Sequence, residues 1–91
     1  MIKSFQVTVT TAGTAVQASA DTARRVYWLR CNPANTGNVF IGNDTAGDVA
    51  STNGLTLAKA DPPIQVELRL NDLYVDAANN GDKLDVMCVL D

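Results

Sequence analysis

The chain has 91 residues, 46% of them apolar, with seven basic and ten acidic side chains and no histidine. That length supports one small core and a single domain spanning 1–91. The missing histidine excludes Ser-His-Asp and Cys-His catalysis and His-ligated zinc, and two cysteines cannot build a four-thiolate site.

The start, MIKSFQVTVTT, lacks the apolar stretch and cleavage site of a signal peptide, and no apolar run approaches the roughly 20 residues of a membrane span. The expectation is a protein made in a reducing cytoplasm, with Cys31 and Cys88 as free buried thiols. A bridge between them stays open, because sequence does not supply their separation. Phe5–Thr11 then alternates apolar and polar residues as a half-buried strand does. Ala12-Gly13 reads as a turn, and Ala15–Ala18 as a weak strand of small residues. Asp21–Arg25 is a polar connection with room for one helical turn. Arg25–Cys31 is apolar on both faces, with Val26 and Trp28 on one side and Tyr27, Leu29 and Cys31 on the other. It reads as a central strand, with Trp28 as an expected core anchor.

Asn32–Asn38 is a loop by composition, leading into a short strand at Val39–Ile41. Residues 43–54 form the longest polar stretch and read as an exposed loop or arm. Gly54–Leu57 resumes a brief alternation, and Asp61-Pro-Pro63 forms a turn no helix crosses. Ile64–Leu70 alternates most cleanly, and Leu73–Val75 is a short strand. Asn79–Asp82 carries an Asn-Gly turn signal of the type I′ kind. Lys83–Leu90 closes the chain as a strand. About eight short strands, with no sustained helical period, predict an all-β fold: a single small β-sandwich, jelly-roll or immunoglobulin-like.

Chemistry-bearing motifs are sparse. Asn35–Asn43 has two glycines five apart, but no Gly-Lys-Ser/Thr follows and no helix opens. Asp44, Asp48, Asp72, Asp76, Asp82 and Asp85 are oxygen donors without the spacing of a calcium loop. Glycoside hydrolysis needs two carboxylates facing each other in a cleft, whereas Glu67, the only glutamate, falls by strand period on a polar, solvated face beside Gln65 and Arg69. No catalytic, cofactor-binding or metal-ligating residue is assigned, and the expectation is a chain that is not an enzyme and needs no cofactor.

Contact features are richer. Residues 1–43 carry a net charge of +3 and residues 44–91 a net of −6, and the overall acidity argues against nucleic-acid binding. Tyr27, Leu29, Tyr74, Met87 and Val89 are apolar positions beyond what one modest core requires, which points to burial between copies. The seam is expected at Tyr27, Leu29 and Tyr74. The partner-facing set is expected at Arg24, Arg25 and Arg30, with Asn43, Asp44, Asp48 and Asn53 of the polar stretch. The first strand offers a second route to association, by adding to a neighbour's sheet edge.

Three stretches carry a resemblance: NPANTGNVFIGN at 32–43, NGLTL at 53–57 and DLYVDAANNGDKLDVMCV at 72–89. They resemble small virion proteins of tailed bacteriophages, of the capsid decoration, cement or head-fibre type. Those proteins share a strand running into ANTGNVYVG, an NG-x-x-L turn, and a final GD-x-V-x-V strand. Where that pattern has Pro-Gly-Glu before the strand at Ile64, this chain has Lys59-Ala-Asp-Pro-Pro63. The resemblance covers the C-terminal two thirds and implies a non-enzymatic β-sandwich. Such a protein self-associates as a dimer or trimer and binds the major capsid protein on the head's outer surface, without nucleic acid or membrane. It supplies no catalytic residues. The other expectation is a carbohydrate- or receptor-binding tip module of a tail or baseplate.

Overall fold

The computed structural model describes residues 1–43, 49 and 54–89. Eight strands follow in chain order: β1 (Ile2–Thr8), β2 (Val16–Gln17), β3 (Arg24–Cys31), β4 (Val39–Gly42), β5 (Leu55–Leu57), β6 (Ile64–Arg69), β7 (Tyr74–Ala77) and β8 (Lys83–Val89). One 3₁₀ turn, Leu70–Asp72, separates β6 from β7. The polar connection before β3 contains no helical turn.

The strands form two antiparallel four-stranded sheets, ordered β1-β8-β3-β6 and β2-β7-β4-β5. First pairs with last, second with seventh, third with sixth and fourth with fifth, as in a long hairpin rolled onto itself. The β3–β8 and β4–β7 ladders then complete the sheets. This is jelly-roll connectivity, which decides between the two topologies left open by local pattern. It also corrects the Asn-Gly reading. β7 and β8 lie in different sheets, so Asn79–Asp82 is a sheet-crossing turn and not a hairpin. Only Gly81 there has positive φ, at 84°, whereas a type I′ turn needs two such residues.

The core fills the space between the sheets. Val7, Tyr27, Leu29, Cys31, Leu84, Val86 and Cys88 enter from one side, and Val39, Ile41, Leu57, Val75 and Ala77 from the other. Period-two alternation on the pleat explains the choice of residues. Both thiols are buried and free. Cys88 lies opposite Tyr27 and Cys31 opposite Leu84 on adjacent strands. Four positions of offset along the ladder is about 13 Å, beyond disulfide reach.

Polar side chains join the loops to this frame. The Asp82 carboxylate accepts the Thr36 and Gly37 amides, each at 2.9 Å. Asn35 acts as an extra strand residue for β8: its Nδ2 donates to Lys83 O at 2.7 Å and its Oδ1 accepts Lys83 N–H at 2.8 Å. Buried polar groups stand only when satisfied in this way.

Candidate functional site

The two sheets differ in how their outer faces are finished. On the second sheet, Phe40 and Asp76 have outward parity yet are 7% and 8% exposed. Asp76 Oδ1 accepts the Gly13 amide at 2.9 Å, and Asn80 Oδ1 the Ala12 amide at 2.7 Å, so the turn after β1 folds over this side.

The outer face of the first sheet has a different character. Cross-strand register sets its side chains in rows. Ile2 lies opposite Val89 and Val26 opposite Glu67. Ser4 and Trp28 both lie opposite Met87, and Trp28 also opposite Gln65. Gln6 and Arg30 lie opposite Asp85. Ile2, Val26, Met87 and Val89 are 66%, 36%, 36% and 54% exposed, and the half-buried Trp28 adjoins them. Ser4, Gln6, Trp28, Arg30, Asp85 and Met87 line a shallow groove of about 650 Å³ on this face.

The face also has a sign. Arg24, Arg30, Arg69 and Lys83 stand on it against Glu67 and Asp85, although the chain as a whole carries −3. Arg24 lies directly opposite Arg69, a like-charge pairing that costs stability. Glu67 offsets part of it through Oε2, which accepts Arg24 Nε–H at 2.9 Å. Arg30 Nε–H donates to Asp85 Oδ2 at 2.8 Å, and Asn32 Nδ2–H to Asp85 Oδ1 at 2.9 Å.

The structure relocates most of the residues expected to meet partners. Tyr27 and Leu29 are 1% and 0% exposed inside the core, so neither has surface to offer a second copy. Tyr74 lies on the second sheet, opposite Gln17 and Gly42, away from β3. The strand expected to carry the seam does carry exposed apolar surface, but on the other parity, at Val26 and Trp28. Trp28 is correspondingly no core anchor. Reading β3 one residue out of phase exchanges its faces.

Arg24 and Arg30 share the outer face. Arg25 has the opposite parity, at the sheet's end, where it borders a hollow of about 50 Å³ with Lys3, Asp21 and Tyr27. Its Nη1–H donates to Asp21 Oδ2 at 3.1 Å. The Ala23 amide holds the Asp21 carboxyl below its ordinary range; desolvation opposes it, and the Arg25 charge adds a further lowering smaller than that desolvation. Contact with Tyr27, and next the charge of Asp21, raises Arg25 above its ordinary value. Asn43 is exposed beyond the end of β4, in the other sheet. Asp44, Asp48 and Asn53 lie outside the described residues.

Among the described residues no three Cys, Asp or Glu side chains gather as metal donors. Asp76 and Asp82 instead bind backbone amides. The roles of Asn35, Asp76 and Asp82 were not visible in sequence. Each recognises backbone more than forty residues away, and composition alone placed them in loops. The chain thus defines an eight-stranded jelly roll with one sheet partly covered by the turn after β1 and one apolar, cationic sheet face. Comparison with protein-family models, curated proteins and solved structures finds no match.

Proposed function

We propose that the chain is a non-enzymatic structural protein of a tailed-bacteriophage particle, a decoration protein that self-associates and binds the outer surface of the assembled head. In this reading it is made in the bacterial host's cytoplasm and resides on the virion. The observation that carries the reading is the apolar, cationic face around Trp28 and Met87. The resemblance at 32–43, 53–57 and 72–89 supplies the class of partner.

Surface physics indicates how such a face works. Four strands about 4.8 Å apart, with seven residues rising about 3.3 Å each, offer roughly 450 Å². A stable one-to-one contact takes about 800 Å² per partner, so a single copy holds weakly. Repeated copies on one lattice act through effective concentration, and binding only the assembled state stabilises it by mass action. Surplus positive charge selects an acidic, partly apolar acceptor.

Co-sedimentation with assembled phage heads tests this. Binding should saturate at hundreds of copies per head, weaken with salt and weaken at least tenfold in Met87→Glu. Failure of the wild-type chain to sediment with heads defeats the reading. A handful of copies per particle would place it at a tail or vertex instead.

Trp28 supports a second reading, a carbohydrate- or receptor-binding tip module. A half-exposed indole beside Gln6, Ser4 and the Arg30–Asp85 pair offers a stacking surface with hydrogen-bonding groups at its rim. A shift in Trp28 fluorescence on adding host glycans, without head binding, would favour it.

A further inference from the structure

We infer that the open edge of β1 is where two copies of this chain join, antiparallel and about a two-fold axis at Phe5. The inference rests on the self-association half of the proposed function and gives it a place in the fold.

Sheet edges expose unpaired backbone donors and acceptors, and proteins defend them. The edge strands here are β1, β6, β2 and β5. β2 has two residues and β5 three, too short to template a neighbour. β6 follows Pro62-Pro63 and carries exposed Glu67 and Arg69, two standard edge defences. β1 has seven residues, no proline and one charge, Lys3. Five of its seven residues are exposed besides the half-buried Phe5 and buried Val7, so among the described residues this long edge is the undefended one.

The direction of its backbone groups follows from the end of the ladder. Val9 N–H donates to Asp82 O at 2.9 Å, and Val9 O accepts Gly81 N–H at 2.7 Å, so both Val9 groups turn toward the β8 side. Antiparallel alternation directs Val7, Phe5 and Lys3 the same way. Ser4, Gln6 and Thr8 therefore point their N–H and C=O groups to the open side.

A second β1 satisfies these groups without conflict. Centred on Phe5, the pairing sets Ser4 opposite Gln6 of the second copy and Ile2 opposite its Thr8. Lys3 meets Val7 of the second copy, so no like charges face each other. The two half-buried Phe5 rings adjoin at the axis and cover each other. The product is one continuous eight-stranded sheet with both apolar, cationic faces side by side. That doubles the docking surface to roughly 900 Å², the size of a stable contact.

The test is sedimentation equilibrium combined with amide hydrogen exchange read by NMR. The wild-type chain should weigh twice its 9.7 kDa. In that dimer the Ser4, Gln6 and Thr8 amides should be protected at least tenfold more than after dilution to monomer, while Phe5 and Val7 stay protected at both concentrations. Gln6→Pro removes one outward amide and spares the β8 ladder, so it should be a folded monomer. A wild-type monomer at millimolar concentration overturns the inference, and so does a dimer whose Ser4 and Gln6 amides exchange freely. The proposed function fails separately: a β1-joined dimer that ignores phage heads defeats head binding and keeps the edge contact.

Discussion

Asp82 ties the β3–β4 loop to the start of β8. It is 4% exposed, and its two oxygens each take one amide of the β3–β4 loop. Asp82→Ala strands both amides and should cost about 3 kcal/mol, since charge-assisted bonds are the stronger class and buried donors are expensive to orphan. For a domain of this size that lowers Tm by roughly 15 °C, readable by circular dichroism. Gly37, beside it, has room for a side chain only if the end of Asn79 shifts and Ala78 gives slightly. A Cβ there would lie 2.5 Å from Asn79 Nδ2 and 3.3 Å from Ala78 Cβ. Gly37→Ala should therefore destabilise by about 1–2 kcal/mol, the range of mild overpacking. Asp21 gives the pH response. Its carboxyl is depressed in the folded chain, so its contribution is present above its ordinary value of 3.8 and is lost as pH falls through the folded value. Arg25→Ala should raise the Asp21 NMR titration midpoint only part of the way, because the Ala23 amide is the larger cause. A full return to the ordinary value would contradict that order.

At the scale of elements, β8 organises the first sheet, because it pairs with β1 on one side and β3 on the other. Its start is held by Asn35, whose side chain imitates one rung of a ladder with Lys83. Asn35→Ala should cost about 2–3 kcal/mol and speed exchange of the Lys83 amide, whereas an exposed change such as Lys59→Ala should stay within about 0.5 kcal/mol. The strands themselves were legible. All eight expected strands exist, with ends shifted by at most a few residues, because alternation records which side of a pleat faces the core. Face assignment on β3 was less secure. Val26, Trp28, Tyr27 and Leu29 are all large and apolar, so hydropathy cannot say which pair is inside. Only the opposing sheet, which covers Tyr27 and Leu29, makes the choice.

At the scale of the whole molecule, the two sheets divide the work. One is partly covered by the turn after β1, and the other presents its apolar and cationic face. Met87→Glu should leave the melting temperature within about 3 °C and weaken docking to an acidic partner at least tenfold, about 1.4 kcal/mol. Met87→Lys should keep most of the docking, which separates electrostatics from shape. The thiols report on integrity. Cys31 and Cys88 are each 2% exposed, so a thiol reagent should modify neither in the native state and both in denaturant. Modification of either cysteine under native conditions would contradict the sealed core.

The sequence by itself determined the number and kind of strands, whereas the free state of Cys31 and Cys88 was left open until the ladder placed them apart. The number and kind of strands are local properties: they follow from period-two patterning, turn-forming residues and composition. The missing histidine removed imidazole chemistry on the same footing. Tertiary structure alone decided that β7 and β8 lie in different sheets, that Asp82 and Asn35 serve backbone groups distant in sequence, and that Trp28 faces outward while Tyr27 is buried. Each of these depends on which segment lies opposite which, and that is settled by how the rolled hairpin closes. The same closure leaves β1 at an edge and the apolar surplus on one sheet face.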